Sequence, residues 1–137
     1  CMHCEEPACL TGGPSGAYEK RPDGIVVHRE ERCLGCRYCE MACPFGAPRY
    51  DAAAGVISKC HLCAHRVDEG RLPACVAACP TEALRFAAPS SAKPAEGAAR
   101  VPGFADPAAC RPSLRFLAPA GTRRADLFRS LEEALKR

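Results

Sequence analysis

The chain has 137 residues, a formal net charge of +3 and twelve cysteines, and it has no tryptophan. So mild a charge excludes the electrostatic footprint of a nucleic-acid-binding domain, and no run of roughly 18 apolar residues is available to cross a membrane as a helix. Large apolar side chains are thin in residues 1–86, so a core of Ile, Val, Leu and Phe cannot hold that region alone and cross-links must help.

The first element is the stretch CMHCEEPACLTGGPSGAYEK, with Cys1, Cys4 and Cys9 followed by Gly13-Pro14. Two later stretches show what that ending replaces. CLGCRYCEMACP contains Cys33, Cys36, Cys39 and Cys43, and CHLCAHRVDEGRLPACVAACP contains Cys60, Cys63, Cys75 and Cys79. Each of these closes on Cys-Pro after a three-residue gap, so glycine stands where the first module would carry its fourth thiol. The three modules, residues 1–16, 33–48 and 60–86, form an internal repeat that indicates a duplicated unit.

Between the first two modules, Pro22-Asp23-Gly24 is a turn and Ile25-Val26-Val27 a short β run, which together predict a hairpin. GVISK before Cys60 and ALRF at 83–86 read as further short strands. RYCEMAC and LPACVAAC read as one- or two-turn helices stopped before Pro44 and Pro80. Residues 87–103 have the Pro/Ala/Gly/Ser composition of a linker. Residues 104–137 then read as a C-terminal docking extension, with LRFLA at 114–118 as a candidate strand. In its closing stretch, Leu127, Phe128, Leu131, Ala134 and Leu135 share one helical face behind a candidate cap at Asp126. Charge divides the same way. Residues 1–86 hold 10 Lys/Arg against 11 Asp/Glu, and residues 87–137 hold 9 against 5.

The spacing of the cysteines decides their chemistry. Neighbouring thiols on one loop point to one centre, which suits a soft metal site and not a disulfide framework. The run C-x2-C-x2-C-x3-C-P at 33–44 is that of bacterial ferredoxins: three cysteines hold three corners of a cubane, and the fourth ligates the other cluster of a pair. Zinc prefers paired C-x2-C knuckles. Taken alone, Cys60, Cys63, Cys75 and Cys79 also have the count of a zinc site, but the recurring Cys-Pro endings favour iron–sulfur. No nucleophilic triad, phosphate loop or carboxylate pair is present, so no catalytic residue is assigned.

The remaining polar residues near the modules are read conservatively. His3 and His61, inside C-x2-C loops, are expected to face solvent and pack around the sites without ligating; His28 is expected to face out from the hairpin and His65 to lie at the surface. Arg37 and Lys59, beside cluster loops, have the charge to stabilise a reduced cluster. Cys110, isolated in sequence, reads as a small apolar residue. Ser15 has the wrong offset to replace a thiolate at position 13.

With these motifs in place, the chain resembles the polyferredoxin electron-transfer subunit of the dimethyl sulfoxide reductase family of molybdoenzymes. RCLGCRYCEMACPFGAPRY and KCHLCAHRVDEGRLPACVAACPTEAL carry the resemblance, which covers residues 1–86 well and continues more weakly through PGFADPAACRPSLRFLAP. It implies an α+β fold of tandem ferredoxin-like 4Fe–4S units, rich in loops, with short hairpins and helices and a C-terminal amphipathic helix. It implies crossed ligation: Cys1, Cys4 and Cys9 share a cluster with Cys43, while Cys33, Cys36 and Cys39 share the next with position 13, here Gly13. Cys60, Cys63 and Cys75 would pair with a cysteine of a further motif, and Cys79 with the remaining ligands of that motif. The family's four motifs would place that one upstream of Cys1, in line with a chain that begins on a motif cysteine and reads as a fragment. Gly13 leaves Cys33, Cys36 and Cys39 as three local thiolates: a 3Fe–4S cluster is the favoured expectation, with a 4Fe–4S cluster completed by solvent or another non-cysteine ligand, or loss of the centre, as the alternatives.

The function implied is electron relay in anaerobic respiration, with a molybdopterin-containing catalytic subunit on one side and a membrane-anchor quinone oxidoreductase on the other. The chain itself would be membrane-associated only through a partner. A freestanding soluble multi-cluster ferredoxin and a zinc-binding interaction module are the alternatives.

Overall fold

The turns of this chain are written in its glycines, prolines and aspartates, and they divide it into very short elements. The structure, a computed structural model, describes residues 1–87, 97–101 and 104–117. In chain order the regular elements are α1 (Ala8–Thr11), β1 (Tyr18–Lys20), β2 (Val26–His28), α2 (Tyr38–Ala42), β3 (Arg49–Asp51), β4 (Val56–Ser58), α3 (Ala64–Asp68) and α4 (Ala74–Ala77). Single 3₁₀ turns cover Glu30–Arg32 and Pro107–Ala109. This is an α+β architecture of short helices and two-stranded antiparallel sheets.

Both hairpins follow from local turn chemistry. β1 and β2 pair with Tyr18 opposite His28 and Lys20 opposite Val26, and the Asp23 carboxylate accepts from the Ile25 amide at 3.1 Å to set the turn. β3 and β4 pair with Tyr50 opposite Ile57. There one Asp51 carboxylate oxygen accepts from the Ala53 and Ala54 amides at 2.9 and 3.2 Å.

The two halves repeat one plan: a short helix, a proline after its end, and then a hairpin. α1 and α2 lie against each other so closely that a Cβ on Gly12 would come within 3.0 Å of the Ala42 Cβ. The core between them is small and mixed, made of Cys9, Tyr18, Val26, Cys39 and Ile57. Two of its five members are predicted cluster ligands, so the packing of this domain is continuous with its metal chemistry.

Three expectations differ from the structure. Residues 83–86 form no strand, and no partner strand lies beside them among the described residues. An extended segment without a partner has nowhere to place its backbone hydrogen bonds. Residues 114–117 contribute only an isolated antiparallel bridge, Phe116 with Ala98. The hairpin does not turn His28 outward: its ring packs on Tyr18 with centroids 4.8 Å apart, and its Nε2 is buried. The expected helix over 127–135 lies outside the described residues.

The segment 110–113 returns to the N-terminal loop. The amides of Glu5 and Glu6 donate to the carbonyls of Arg111 and Cys110 at 2.8 and 3.2 Å, and the Ser113 amide donates to the Met2 carbonyl at 3.0 Å. Among the described residues no helix is long and apolar enough to cross a membrane.

Candidate metal centre

Each C-x2-C loop is wound the same way. The residue before the second cysteine is left-handed in all three: His3 (φ 42°), Gly35 (φ 64°) and Leu62 (φ 53°). This conformation curls the loop around its first cysteine, so the Gly35 amide donates to Cys33 Sγ at 3.5 Å and the Leu62 amide to Cys60 Sγ at 3.3 Å. Other backbone N–H groups add to the set: Ile57 to Cys33, Ala47 to Cys43 and Ala74 to Cys63, at 3.4–3.5 Å. Amides aimed at sulfur favour the thiolate over the thiol. No disulfide consumes these residues, since all twelve cysteines are free.

Helix ends place the fourth thiol of the middle module. α2 stops at Ala42 because Pro44 disfavours helical geometry at Cys43, which is extended (φ −78°, ψ 113°). The Cys43 sulfur thereby leaves its own module. It lines a small cavity, open to solvent, with Cys1, Cys4 and Cys9. Pro7, Phe45, Pro48, Val26 and Lys59 form much of the remaining wall. Burial first, and the neighbouring Cys110 sulfur next, push the Cys4 thiol up to about 12; burial also raises Cys9. A thiolate at either position needs a compensating cation, which bound iron provides.

The cavity holds two residues that the sequence reading placed elsewhere. Cys110 is only 1% exposed, and its sulfur lies 3.6 Å from that of Cys4. His3 is 6% exposed and does not face solvent. Its Nδ1 accepts from the Val26 amide at 3.0 Å, which leaves the proton on Nε2, and that atom is buried without a partner. Burial is also the main reason that His3 is lowered to about 4. His61 and His65 are exposed and stack on each other, with centroids 5.6 Å apart.

Around the middle module, Cys39 is buried in α2, Cys33 is half-buried and Cys36 is exposed. Position 13 has room for a side chain: a Cβ there would meet only the Cys9 carbonyl at 3.8 Å and Tyr18 Cδ2 at 3.9 Å. The Tyr18 hydroxyl is buried without a hydrogen-bond partner, and burial first, then Cys39, raises its pKa. A buried hydroxyl left unpaired costs about 1–3 kcal/mol. Nothing in the sequence singled out Tyr18; only its register opposite His28 in a hairpin could have suggested that it points inward.

In the third module Cys63 caps α3 in a left-handed conformation (φ 48°) and is tied through the Ala74 amide to α4, which carries Cys75. Cys79 stands apart: its sulfur lies 3.5 Å from the Thr81 hydroxyl, which more than any other group lowers it to about 7. Lys59 is half-buried beside the first cavity. Its ammonium donates to the Val26 carbonyl and, at 2.9 Å, to that of Cys60. Arg37 is exposed and paired with Glu40 at 2.9 Å. Among the described residues no three His, Cys, Asp or Glu side chains converge as a single-ion site demands. Thiolates that clasp a cubane stand further apart, each on its own iron.

A cysteine-walled cavity built across two repeats, with amides directed at sulfur, defines an iron–sulfur protein. The 4Fe-4S dicluster domain family matches residues 1–88, and the chain belongs to that family. It is 56% identical over 86 residues to a chain of the anaerobic dimethyl sulfoxide reductase of Escherichia coli (strain K12), covering 63% of this chain and 42% of that one. A sulfite dehydrogenase subunit of Allochromatium vinosum is 46% identical over 93 residues, covering 63% and 39%. The iron–sulfur subunit of the nitrate-inducible formate dehydrogenase of Escherichia coli (strain K12) is 48% identical over 87 residues, covering 63% and 30%. The chain therefore spans less than half the length of these curated relatives.

Proposed function

We propose that this chain relays single electrons as the iron–sulfur subunit of a molybdopterin-containing oxidoreductase, between a catalytic subunit and a quinone-linked membrane anchor. The observation that carries the reading is the cavity in which Cys1, Cys4 and Cys9 of one repeat meet Cys43 of the next. By their descriptions the relatives named above are chains of a dimethyl sulfoxide reductase and of sulfite and formate dehydrogenases, and the family match over residues 1–88 takes in all three cysteine modules.

In this reading Cys1, Cys4, Cys9 and Cys43 hold a 4Fe–4S cluster. Cys33, Cys36 and Cys39 hold a 3Fe–4S cluster, because Gly13 has no donor. Cys60, Cys63 and Cys75 belong to a third centre completed by a thiolate from outside these modules, and Cys79 to a fourth. When bound, such clusters supply reversible one-electron storage at potentials set by charge, burial and hydrogen bonds to sulfur. The protein's share is structural. The left-handed loops orient the thiolates, backbone amides offset their charge, and Phe45, Pro48 and Val26 keep water from one wall of the first site.

The helix–proline–hairpin plan, present twice, supports tandem ferredoxin-like units within residues 1–86. The backbone pairing of 110–113 with the N-terminal loop supports an extension after the 87–103 linker that folds back on the domain. The C-terminal helix belongs to that extension as a docking element. Association with a membrane is then through the partner.

Three measurements test this. Anaerobically purified protein should be brown and contain iron and acid-labile sulfide; a colourless, iron-free, folded protein would overturn it. Cys9→Ala and Cys43→Ala should each remove the same paramagnetic centre, and Cys36→Ala a different one. If Cys43→Ala removed the centre lost in Cys36→Ala, the crossed ligation would be wrong. Co-expression with a molybdenum-containing catalytic chain should yield a stable complex, and failure to copurify would favour a freestanding ferredoxin.

A further inference from the structure

The middle module has lost a thiolate at position 13, and the side chain nearest that gap is Tyr18, whose Cδ2 lies 3.9 Å from where a Cβ would stand. The ring is 9% exposed and belongs to the same packed cluster as Cys39 and Cys9. It is held on two sides, by the cross-strand ring of His28 at 4.8 Å and by the Lys59 ammonium at 5.8 Å from its centroid. Its hydroxyl is buried without a hydrogen-bond partner, within the packed cluster that holds the Cys39 side chain. A phenol has one O–H to give, and a metal-bound thiolate offers only lone pairs.

We propose that the Tyr18 hydroxyl is the dedicated hydrogen-bond donor of the incomplete centre, giving its proton to sulfur at the Cys39 corner of the Cys33, Cys36 and Cys39 site. It rests on the reading of those three residues as a centre short of one thiolate. The donor explains why a hydroxyl sits unpaired in an otherwise apolar core: its partner is sulfur that carries more negative charge once iron is bound. Because the added electron raises that charge further, the hydrogen bond strengthens on reduction and favours the reduced form. Tyr18 does not touch a substrate and is a positioning and tuning residue.

The test uses the full chain, loaded anaerobically, with Tyr18→Phe beside the wild type. Iron count and the oxidised 3Fe–4S signal come first; if the wild type lacks that centre, the reading beneath the inference fails and not the inference itself. With the centre present, pulsed paramagnetic resonance after exchange into deuterium oxide should show an exchangeable deuteron coupling that Tyr18→Phe loses. The oxidised-to-reduced ratio of that centre at a fixed poise should rise several-fold, by the amount that the bond is stronger to the reduced centre than to the oxidised one. An intact centre with unchanged coupling and unchanged ratio would overturn the proposal. So would a tyrosinate-to-iron charge-transfer band in the wild type, which would make the oxygen a ligand. Should Tyr18→Phe fail to load, 3-fluorotyrosine at position 18 keeps the shape and donates more strongly. The ratio should then fall, and no change would again be fatal.

Discussion

The sulfurs of Cys4 and Cys110 lie 3.6 Å apart although 106 positions separate them in sequence. The backbone pairing of Cys110 and Arg111 with Glu6 and Glu5 brings them together, and it makes Cys110 the fifth thiol of a cavity where the proposed 4Fe–4S cluster would use four. A spare thiol beside a ligand gives a test by substitution. Cys4→Ala should retain most of its iron, with an altered spectrum, because Cys110 takes the vacated corner. Cys110→Ala alone should retain it with Cys4 in place, and the double variant should lose the centre. Equal losses in Cys4→Ala and in the double variant would show that Cys110 cannot reach iron.

Gly13→Cys restores the thiolate that the repeat leads one to expect. Its Cβ would meet neighbours at 3.8 and 3.9 Å, ordinary contact distances, and Gly13 does not have a positive φ, so the substitution should fold without strain. The expected outcome is loss of the oxidised 3Fe–4S signal and a gain of one iron per chain. Persistence of the signal in the loaded variant would remove position 13 from the ligand set.

What the sequence made legible was local. The 18–28 hairpin was written in Pro22-Asp23-Gly24, and the exit of Cys43 from its own module in Pro44; both rules act over a few residues and survived into the fold. The arrangement that matters at the first site acts over a hundred residues. Cys110 looked inert because its partner is the N-terminal loop, and no spacing rule links them. The expectation that His3 faces solvent fails on the same grounds. Here the Val26 amide and the 110–113 segment, whose Ser113 hydroxyl donates to the His3 carbonyl at 2.6 Å, cover it. Tyr18 was invisible for the same reason: an aromatic residue opening a strand is common, and only its burial beside Cys39 gives it a role.

Gly35 is the position where backbone geometry and cluster chemistry meet. Its φ is 64°, and a Cβ would fall 2.5 Å from the Gly55 carbonyl oxygen at the tip of the β3–β4 hairpin. Gly35→Ala must therefore either unwind the loop that carries Cys33 and Cys36 or push the hairpin away. A destabilisation of about 1–3 kcal/mol is expected, the usual cost of such strain. Thermal unfolding of the loaded protein should show it, together with slower loading of the middle centre. A variant with wild-type unfolding would mean that the hairpin tip yields at no cost.

Lys59 is a half-buried cation between the first cavity and Cys60, and desolvation holds its ammonium below the usual lysine range while nearby cysteines act to raise it. A fixed positive charge next to a centre that becomes more negative on reduction favours the reduced state. At an effective dielectric constant of about 20, two unit charges about 4 Å apart interact by about 4 kcal/mol, and the effect falls in inverse proportion to distance. Lys59→Met keeps the bulk of the stem and removes the charge. The midpoint of the centre held by Cys9 and Cys43 should fall, while that of the centre at Cys36 moves less. The variant also leaves the Val26 and Cys60 carbonyls without their donor, so some loss of stability accompanies it. Lys59→Arg, which keeps a cation, separates the two effects: it should restore the midpoint even if packing suffers. If Lys59→Met lost stability but left the first midpoint where it was, Lys59 would be a strut for the loop and not part of its electrostatics.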